Sequence, residues 1–362
     1  MLIDIIAGAR PNFVKIAPIV HVLKARAAEG GPLRHRLVHT GQHYDAQMSG
    51  VFFEQLGIDS PDVNLEAGSG THAEQTASIM TKYEALLLND PCQMTLVVGD
   101  VTSTMACAIT AQKLHIPVAH VEAGIRSGDW KMPEEINRLV TDAVTNWFFT
   151  TTEYAGETLR ASGITEDRIF FVGNTMIDTL VHNMDRLIQP AFFADKELTG
   201  GNYLVATLHR PSNVDAGFKL AETLGAIARG ARGLPVVFPV HPRTAKTLSD
   251  IDLPDNIVLV DPQPYLEFNW LVKNCKAVVT DSGGITEEAT VMGIPCMTLR
   301  TTTERPETVD IGTNELIGDD LDALAHAFDR LFESLWKTGQ IPKKWDGHTA
   351  PRIVTALEKL LA

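Results

Sequence analysis

Short apolar runs alternate with helix-like segments along the whole chain, and this alternation limits the fold more than any other feature. "LIDIIAG" and "MTLVVGD" are two of eleven such runs, and "VKIAPIVHVLKARAAE" is typical of the amphipathic segments between them. Strands that are apolar throughout and alternate with helices belong to parallel sheets covered by helices on both faces. Eleven strands are too many for one compact open sheet. The sequence therefore predicts an α/β protein with two Rossmann-like domains.

The length of the chain agrees with this division, because 362 residues exceed one ordinary domain. We expect a first domain over residues 1–177 and a second over residues 178–347. The tail "RIVTALEKLLA" has the pattern of an amphipathic helix, so residues 348–362 are expected to pack back on the first domain. Open parallel sheets bind ligands beyond the carboxyl ends of their strands. We therefore expect the two domains to face each other across a ligand-binding cleft.

Composition excludes several classes of partner. The formal net charge is −14, which argues against nucleic acid. No apolar stretch approaches the roughly 18 residues of a membrane-spanning helix, and the N-terminus lacks the positively charged start of a signal peptide. The four cysteines are far apart in sequence, as expected of reduced thiols rather than of a metal site. We therefore expect a cytoplasmic protein that binds no membrane, no metal and no nucleic acid.

Charged and polar residues stand where the predicted strands end. Turn chemistry alone would explain any one of them, but Arg, His, Asp and Glu recur here more than the Ser, Asn and Lys of ordinary turns. Because the carboxyl ends of parallel strands meet at one edge of a sheet, these side chains are candidates for a shared ligand site. They are Arg10, Gln42, His43, Asp100, Glu122, Asn174, His209, Arg210, His241, Gln263, Ser282, Gly283, Gly284 and Arg300.

The stretch "DSGGITEEA" combines a phosphate-binding element with two acids. Its Ser282–Gly284 turn precedes a predicted helix, whose N-terminal amides and dipole favour an anion. Glu287 and Glu288 are expected one turn into that helix, where acids stabilise a helix start and where one of them could accept hydrogen bonds from a ribose diol. Arg305, in "LRTTTERPE", is either a diphosphate ligand or a solvated loop residue. A nucleotide would account for all of these features.

Other side chains are of the types that acid–base chemistry uses. Lys15 lies about one helical turn after Arg10, and Pro11 suits the first position of that helix. Both cations could neutralise a phosphate. Asp100 and Glu122 end apolar strands, and capping of the next helix is the alternative role for Asp100.

The segment "MPEEINR" and one histidine complete the candidates. Glu134 and Glu135 open a predicted helix, with Arg138 spaced for an i,i+4 ion pair with Glu134. Helix-start stabilisation is the alternative role for these acids. His209 ends the first strand of the second domain and is a candidate general acid or base.

Taken together, these motifs resemble those of the non-hydrolysing UDP-N-acetylglucosamine 2-epimerase family. The resemblance covers nearly the whole chain, in order, and rests on "GARPNFVKIAP", "HTGQHYD", "VVGDVTSTMA", "HVEAGIRS", "MPEEINR", "VGNTMIDTL", "TLHRPSN", "PVHPRT", "TDSGGITEEA" and "TTERPETVDIGT". It implies the glycosyltransferase-B fold and interconversion of UDP-GlcNAc and UDP-ManNAc without NAD, another cofactor or a metal. The chain departs from the family pattern at Asn12, where Glu is frequent, and at Gly70, where many bacterial members have Gln.

The resemblance also implies roles for particular residues and for partners. UDP-binding roles fall on Arg10, Gln263, Ser282, Gly283, Gly284, Glu288 and Arg305, with Glu288 as the ribose acid. Catalytic roles fall on Lys15, Asp100, Glu122, Glu134 and His209. Gln42, His43, Arg210 and His241 are further candidates for contacts with the sugar or with a second bound molecule. The implied partners are a UDP-sugar, UDP and a second copy of the chain in a homodimer.

The chemistry of this reaction agrees with the residue types. The C2 hydrogen of the sugar is not next to a carbonyl, but departure of UDP from C1 would acidify it and give a 2-acetamidoglucal. Re-addition of UDP, with a proton on the other face, would invert C2. Such a route needs cations on the diphosphate and acid–base groups on both faces of the ring. A glycosyltransferase, a hydrolysing epimerase that releases free ManNAc, and a catalytically silent UDP-sugar sensor are the alternative functions.

Overall fold

The computed structural model describes residues 1–41, 52–209, 217–240, 242–248 and 251–362, which form two compact units. The first unit contains Met1–His182 and Lys343–Ala362, and the second contains Asn183–Pro342. Both are α/β units built on parallel sheets, as the alternation of apolar runs and amphipathic segments predicts.

The boundary of the first unit differs from the prediction, because residue 177 lies inside the helix Thr175–Asn183. Thr179 in that helix donates its hydroxyl to the Val14 carbonyl at 2.6 Å, which ties the helix to the first unit. Asp178 accepts the amides of Thr349 and Ala350 at 3.0 and 2.7 Å, at the start of the C-terminal helix. The C-terminal segment that belongs to the first unit begins at Lys343, before the predicted residue 348.

The first sheet holds seven parallel strands in the described residues, in the order β3-β2-β1-β4-β5-β6-β7. The strands are β1 (Leu2–Ala7), β2 (Arg34–His39), β3 (Val63–Asn64), β4 (Met94–Val98), β5 (Val118–Val121), β6 (Trp147–Thr150) and β7 (Ile169–Phe171). The chain leaves β1 toward β2 on one side and later returns to β4 on the other. The carboxyl ends of β1 and β4 therefore form the switch point, where open α/β sheets bind ligands.

The second sheet holds six parallel strands in the part of the chain that is described, in the order β10-β9-β8-β11-β12-β13. They are β8 (Leu204–Thr207), β9 (Val236–Pro239), β10 (Ile257–Val260), β11 (Ala277–Thr280), β12 (Cys296–Thr298) and β13 (Asn314–Leu316). The switch point of this sheet lies between β8 and β11. The eleven predicted runs omit β3 and β13, which are short strands at the edges of the two sheets. Edge strands need not be apolar on both faces, so these two carry no continuous apolar run.

Helices cover both sheets, and several begin or end at residues whose chemistry explains the boundary. Thr71 and Glu74 form a capping box at His72–Asn89, and Asp320 caps Leu321–Phe332 through two amides. Further α-helices in the described residues span Arg10–Ala28, Thr102–Lys113, Pro133–Ala143, Glu153–Ala161, Thr175–Asn183, Phe192–Asp195, Gly217–Gly230, Pro242–Leu248, Tyr265–Asn274, Gly283–Met292, Pro306–Asp310 and Thr349–Leu361. No helix in the described ranges has the length and hydrophobicity that crossing a membrane requires.

Candidate functional site

The turn after β1 is tied to the end of β4, the next strand across the switch point. The helix begins at Arg10, so Pro11 takes its second position rather than the predicted first. The side-chain oxygen of Asn12 accepts the amides of Gly8 and Ala9 at 3.2 and 3.0 Å, and its nitrogen donates to the Val98 carbonyl at 3.0 Å. Asn12, where the family pattern often has Glu, therefore fixes the helix start against β4.

A buried ion pair joins the two candidate catalytic residues Lys15 and Glu122. The Lys15 ammonium lies 2.6 and 2.8 Å from the two carboxylate oxygens of Glu122. Glu122 follows β5 directly and has a φ of 74°, in the left-handed region that residues with a side chain rarely adopt. Such backbone strain concentrates at functional sites. Arg10, by contrast, is exposed, with its guanidinium 5.1 Å from the centre of the Phe52 ring.

Asp100 is held by a cation and not used as a helix cap. Arg138 donates two hydrogen bonds to one carboxylate oxygen of Asp100, at 3.1 and 2.7 Å. The side chain of Asn137 donates to the Asp100 carbonyl at 2.8 Å. The N-cap position of the next helix, Thr102–Lys113, is Val101, so the alternative role of Asp100 as its N-cap is wrong. Sequence reasoning missed this pairing, because Asp100 and Arg138 are 38 residues apart.

The two acids that open the helix Pro133–Ala143 have different environments. Arg138 pairs with Glu135 at 2.5 Å, so the predicted Glu134–Arg138 pair is wrong. Glu135 is buried and also accepts the amides of Ser127 and Gly128 at 2.9 and 3.0 Å. Burial alone would raise the pKa of Glu135, but these amides and Arg138 lower it overall. Glu134, in the first turn of the helix, is half-buried and is therefore the more exposed of the two residues.

A second buried network, which the sequence did not indicate, lies beneath the ends of β4 and β5. His120 places Nδ1 2.8 Å from an Asp142 oxygen and Nε2 2.9 Å from the Gly99 carbonyl. Both partners are acceptors, so each bond needs a proton on its ring nitrogen. The other Asp142 oxygen accepts Arg126 at 2.7 Å and the Gly124 amide at 3.2 Å. Although burial alone would raise the pKa of Asp142, the hydrogen bond from His120 and the charge of Arg126 lower it.

At the switch point of the second sheet, His209 is hydrogen-bonded to Asp281, the residue before the Ser282–Gly284 turn. Asp281, directly after β11, accepts the His209 amide with both carboxylate oxygens at 3.0 Å. The next residue, Ser282, is the N-cap of the helix Gly283–Met292, and its side chain makes no capping hydrogen bond in the described residues. A Cβ at Gly283 would come within 2.4 Å of Oε1 of Glu304, so a larger residue there would displace this carboxylate, which pairs with Arg300.

Glu287 and Glu288 are the fifth and sixth residues of that helix, one turn in as predicted, and they contact different partners. Glu287 is 1 % exposed and lies 2.6 Å from Nε of Arg305, which is 3 % exposed. The alternative of a solvated Arg305 is therefore wrong. Glu288 accepts the Tyr265 hydroxyl at 2.9 Å and the Asn269 amide at 3.4 Å, both at Oε1. Burial raises the pKa of Glu288 to about 7.

The remaining candidates are less informative. Gln263 is half-buried and donates to the Asp261 carbonyl at 2.7 Å. Within the described ranges, no cluster of three or more His, Cys, Asp or Glu side chains has the arrangement of a metal site. The four candidates for sugar or second-site contacts, Gln42, His43, Arg210 and His241, lie outside the described residues.

Comparison with known proteins identifies the family. The model of the UDP-N-acetylglucosamine 2-epimerase family matches residues 26–358. The chain belongs to this family. The UDP-N-acetylglucosamine 2-epimerase of Methanocaldococcus jannaschii is 40 % identical over 340 residues, which cover 91 % of this chain and 92 % of that protein. The UDP-2,3-diacetamido-2,3-dideoxy-D-glucuronate 2-epimerase of Pseudomonas aeruginosa is 38 % identical over 364 residues, covering 99 % and 100 %.

The fold of the family is confirmed by a solved structure. The crystal structure of the M. jannaschii UDP-GlcNAc 2-epimerase in complex with UDP-GlcNAc and UDP has a TM-score of 0.87, at 38 % identity, and covers 99 % of this chain and 100 % of that chain. The predicted glycosyltransferase-B-like architecture of two parallel-sheet domains and the predicted class of enzyme, an isomerase, are therefore confirmed.

Proposed function

We propose that this enzyme interconverts UDP-GlcNAc and UDP-ManNAc, or a decorated UDP-2-acetamido sugar, at C2. The observation that carries the proposal is the placement of Asp100 and Glu122 after the neighbouring strands β4 and β5, each beside a cation. Two carboxylates at adjacent strand ends are suited to proton transfer. Membership of the epimerase family supports the same reaction.

The proposed mechanism divides the candidates into two groups. The first group stabilises the diphosphate as it leaves C1, because charge develops there in the transition state. It consists of Arg10, Lys15, Arg305 and the amides of the Ser282–Gly284 turn. The second group, Asp100, Glu122, Glu134 and His209, removes the C2 proton and returns one to the opposite face. The bound intermediate is a 2-acetamidoglucal with UDP beside it.

Product analysis tests the function directly. Purified protein is incubated with UDP-GlcNAc, and UDP-GlcNAc, UDP-ManNAc, UDP and free sugars are separated. We expect a mixture of the two UDP-sugars. Free ManNAc with UDP would instead indicate a hydrolysing epimerase, and unchanged UDP-GlcNAc with UDP still bound would favour a glycosyltransferase or a sensor.

The substrate panel needs more than one sugar. The M. jannaschii and P. aeruginosa relatives, whose names give different substrates, are 40 % and 38 % identical to this chain. Assays therefore include UDP-2,3-diacetamido-2,3-dideoxy-D-glucuronate beside UDP-GlcNAc. We further propose that the enzyme works as a homodimer in the cytoplasm, which sedimentation and cell fractionation would test.

Glu288 is proposed to accept the two ribose hydroxyls, and its buried position makes this testable by pH. Both of its protein hydrogen bonds use Oε1, and its pKa is about 7 in the free protein. Hydroxyl donors favour the ionised carboxylate, so UDP binds with release of the Glu288 proton. We expect the affinity ratio of UDP to 2′-deoxy-UDP to rise between about pH 6 and about pH 8.

The two ligands share the titration of their phosphates, so the ratio of their affinities isolates the contact of Glu288 with the 2′-hydroxyl. Calorimetry at each pH measures both dissociation constants. Glu288→Gln should weaken UDP more than 2′-deoxy-UDP and remove the pH dependence of the ratio. Equal losses for both nucleotides would remove the ribose role from Glu288.

A further inference from the structure

The backbone beside Asp100 is held by a side chain from the neighbouring strand. Gly99 turns the chain from β4 into Asp100 with a φ of 70°, a conformation that glycine adopts without strain. The Gly99 amide donates to the Val121 carbonyl at 3.0 Å, and its carbonyl lies 2.9 Å from Nε2 of His120. The amide and the carbonyl of Gly99, the residue before Asp100, are therefore both bound by residues of β5.

His120 is itself held in one orientation. It is 1 % exposed, and its Nδ1 lies 2.8 Å from Asp142. Asp142 belongs to the same helix as Glu134 and Arg138, and its second oxygen accepts Arg126 and the Gly124 amide. The His120 ring thus connects the Asp100 turn with the helix whose Arg138 binds the Asp100 carboxylate.

We infer that His120 is a positioning residue for epimerisation, acting through Gly99 on the direction in which Asp100 presents its carboxylate. Both ring nitrogens bind groups of the protein, so His120 touches no substrate. The inference rests on the proposed acid–base role of Asp100. A misplacement of about 1 Å at a reacting group can reduce a rate on the order of 100-fold, so loss of the hydrogen bond to Gly99 should lower turnover. Asp100 is not proposed to hold the diphosphate, so the affinity for UDP should not change.

Two substitutions separate the two bonds of His120. The amide nitrogen of Gln reaches about as far as Nε2, so His120→Gln can keep the bond to Gly99. The amide nitrogen of Asn corresponds to Nδ1, so His120→Asn keeps the bond to Asp142 and loses the one to Gly99. We expect His120→Asn to lower kcat by roughly 10- to 100-fold with the Kd of UDP unchanged, and His120→Gln to recover most of kcat.

Tyr83→Phe is the matched control for loss of a buried hydrogen bond on the same sheet. The Tyr83 hydroxyl binds Asp4 and Thr95 near the amino ends of β1 and β4, away from Asp100. The Tyr83→Phe substitution should lower the melting temperature and leave kcat unchanged. A further check is the double variant with Asp100→Asn, in which His120→Asn should cost no additional rate.

The outcomes separate this inference from the proposed function. A wild-type protein that forms no epimer, with UDP still bound, contradicts the proposed function. If the wild type turns over but His120→Asn and His120→Gln are equally slow, the positioning role of His120 is overturned. It is also overturned if His120→Asn loses affinity for UDP in parallel with kcat. Additive losses in the double variant would overturn it as well.

Discussion

In deuterated water, the wild-type enzyme should place one deuterium at C2 of UDP-GlcNAc and of its epimer, because the removed proton exchanges with solvent before re-addition. Asp100→Asn and Glu122→Gln should each slow this exchange by about 10²- to 10⁴-fold, the usual contribution of a general acid or base. Both variants should still bind UDP, since neither side chain is proposed to hold the diphosphate. Mass spectrometry and NMR of the recovered sugars measure the label and its position.

The control for this experiment is an acid of the same unit that lies on its surface. Glu166 pairs with Arg160 in an exposed ion pair, and Glu166→Gln should exchange at the wild-type rate. Abundant epimer that keeps its original C2 hydrogen would contradict proton exchange with solvent. A glycosyltransferase has no step that labels C2, so the same measurement separates it from an epimerase.

Replacement of Arg305 by Met should lower the free energy of unfolding of the second unit by about 3–5 kcal/mol, the usual effect of removing one member of a buried ion pair. Glu287 would lose its guanidinium partner while remaining buried. Restoring charge balance with Glu287→Gln in the Arg305→Met protein should recover most of this loss. Urea unfolding followed by circular dichroism measures each free energy.

Arg232→Met provides the comparison within the same unit. Arg232 pairs with Asp329 on the surface, where side chains are about half exposed, so its loss should cost about 1 kcal/mol or less. If Arg305→Met costs no more than Arg232→Met, the Glu287–Arg305 pair contributes no buried-charge stabilisation. Loss of UDP affinity in the Arg305→Met, Glu287→Gln double variant, once its stability is restored, would then report the diphosphate contact alone.

Several positions show how the candidate site depends on spatial neighbours. "DSGGITEEA" predicted a helix start with two acids one turn further in, and the helix does begin at Gly283. Which acid pairs with Arg305 and which contacts Tyr265 depends on the faces that Glu287 and Glu288 occupy. Likewise, "PEEINR" predicted a helix with a Glu134–Arg138 ion pair, but Arg138 forms ion pairs with Glu135 and Asp100.

The sequence by itself determined the elements that repeat locally: eleven of the described strands, the amphipathic helices, the glycine turn and the polar residues at strand ends. Apolar runs and helical periodicity act over a few residues, so a linear sequence carries them. The edge strands β3 and β13 and the boundary after His182 required the folded chain. So did the Lys15–Glu122 pair and the His120–Asp142 network, because the parallel order of β1, β4 and β5 brings together residues that are far apart in sequence. A buried charge takes whichever partner packing places within hydrogen-bond distance, and only the tertiary structure decides that distance.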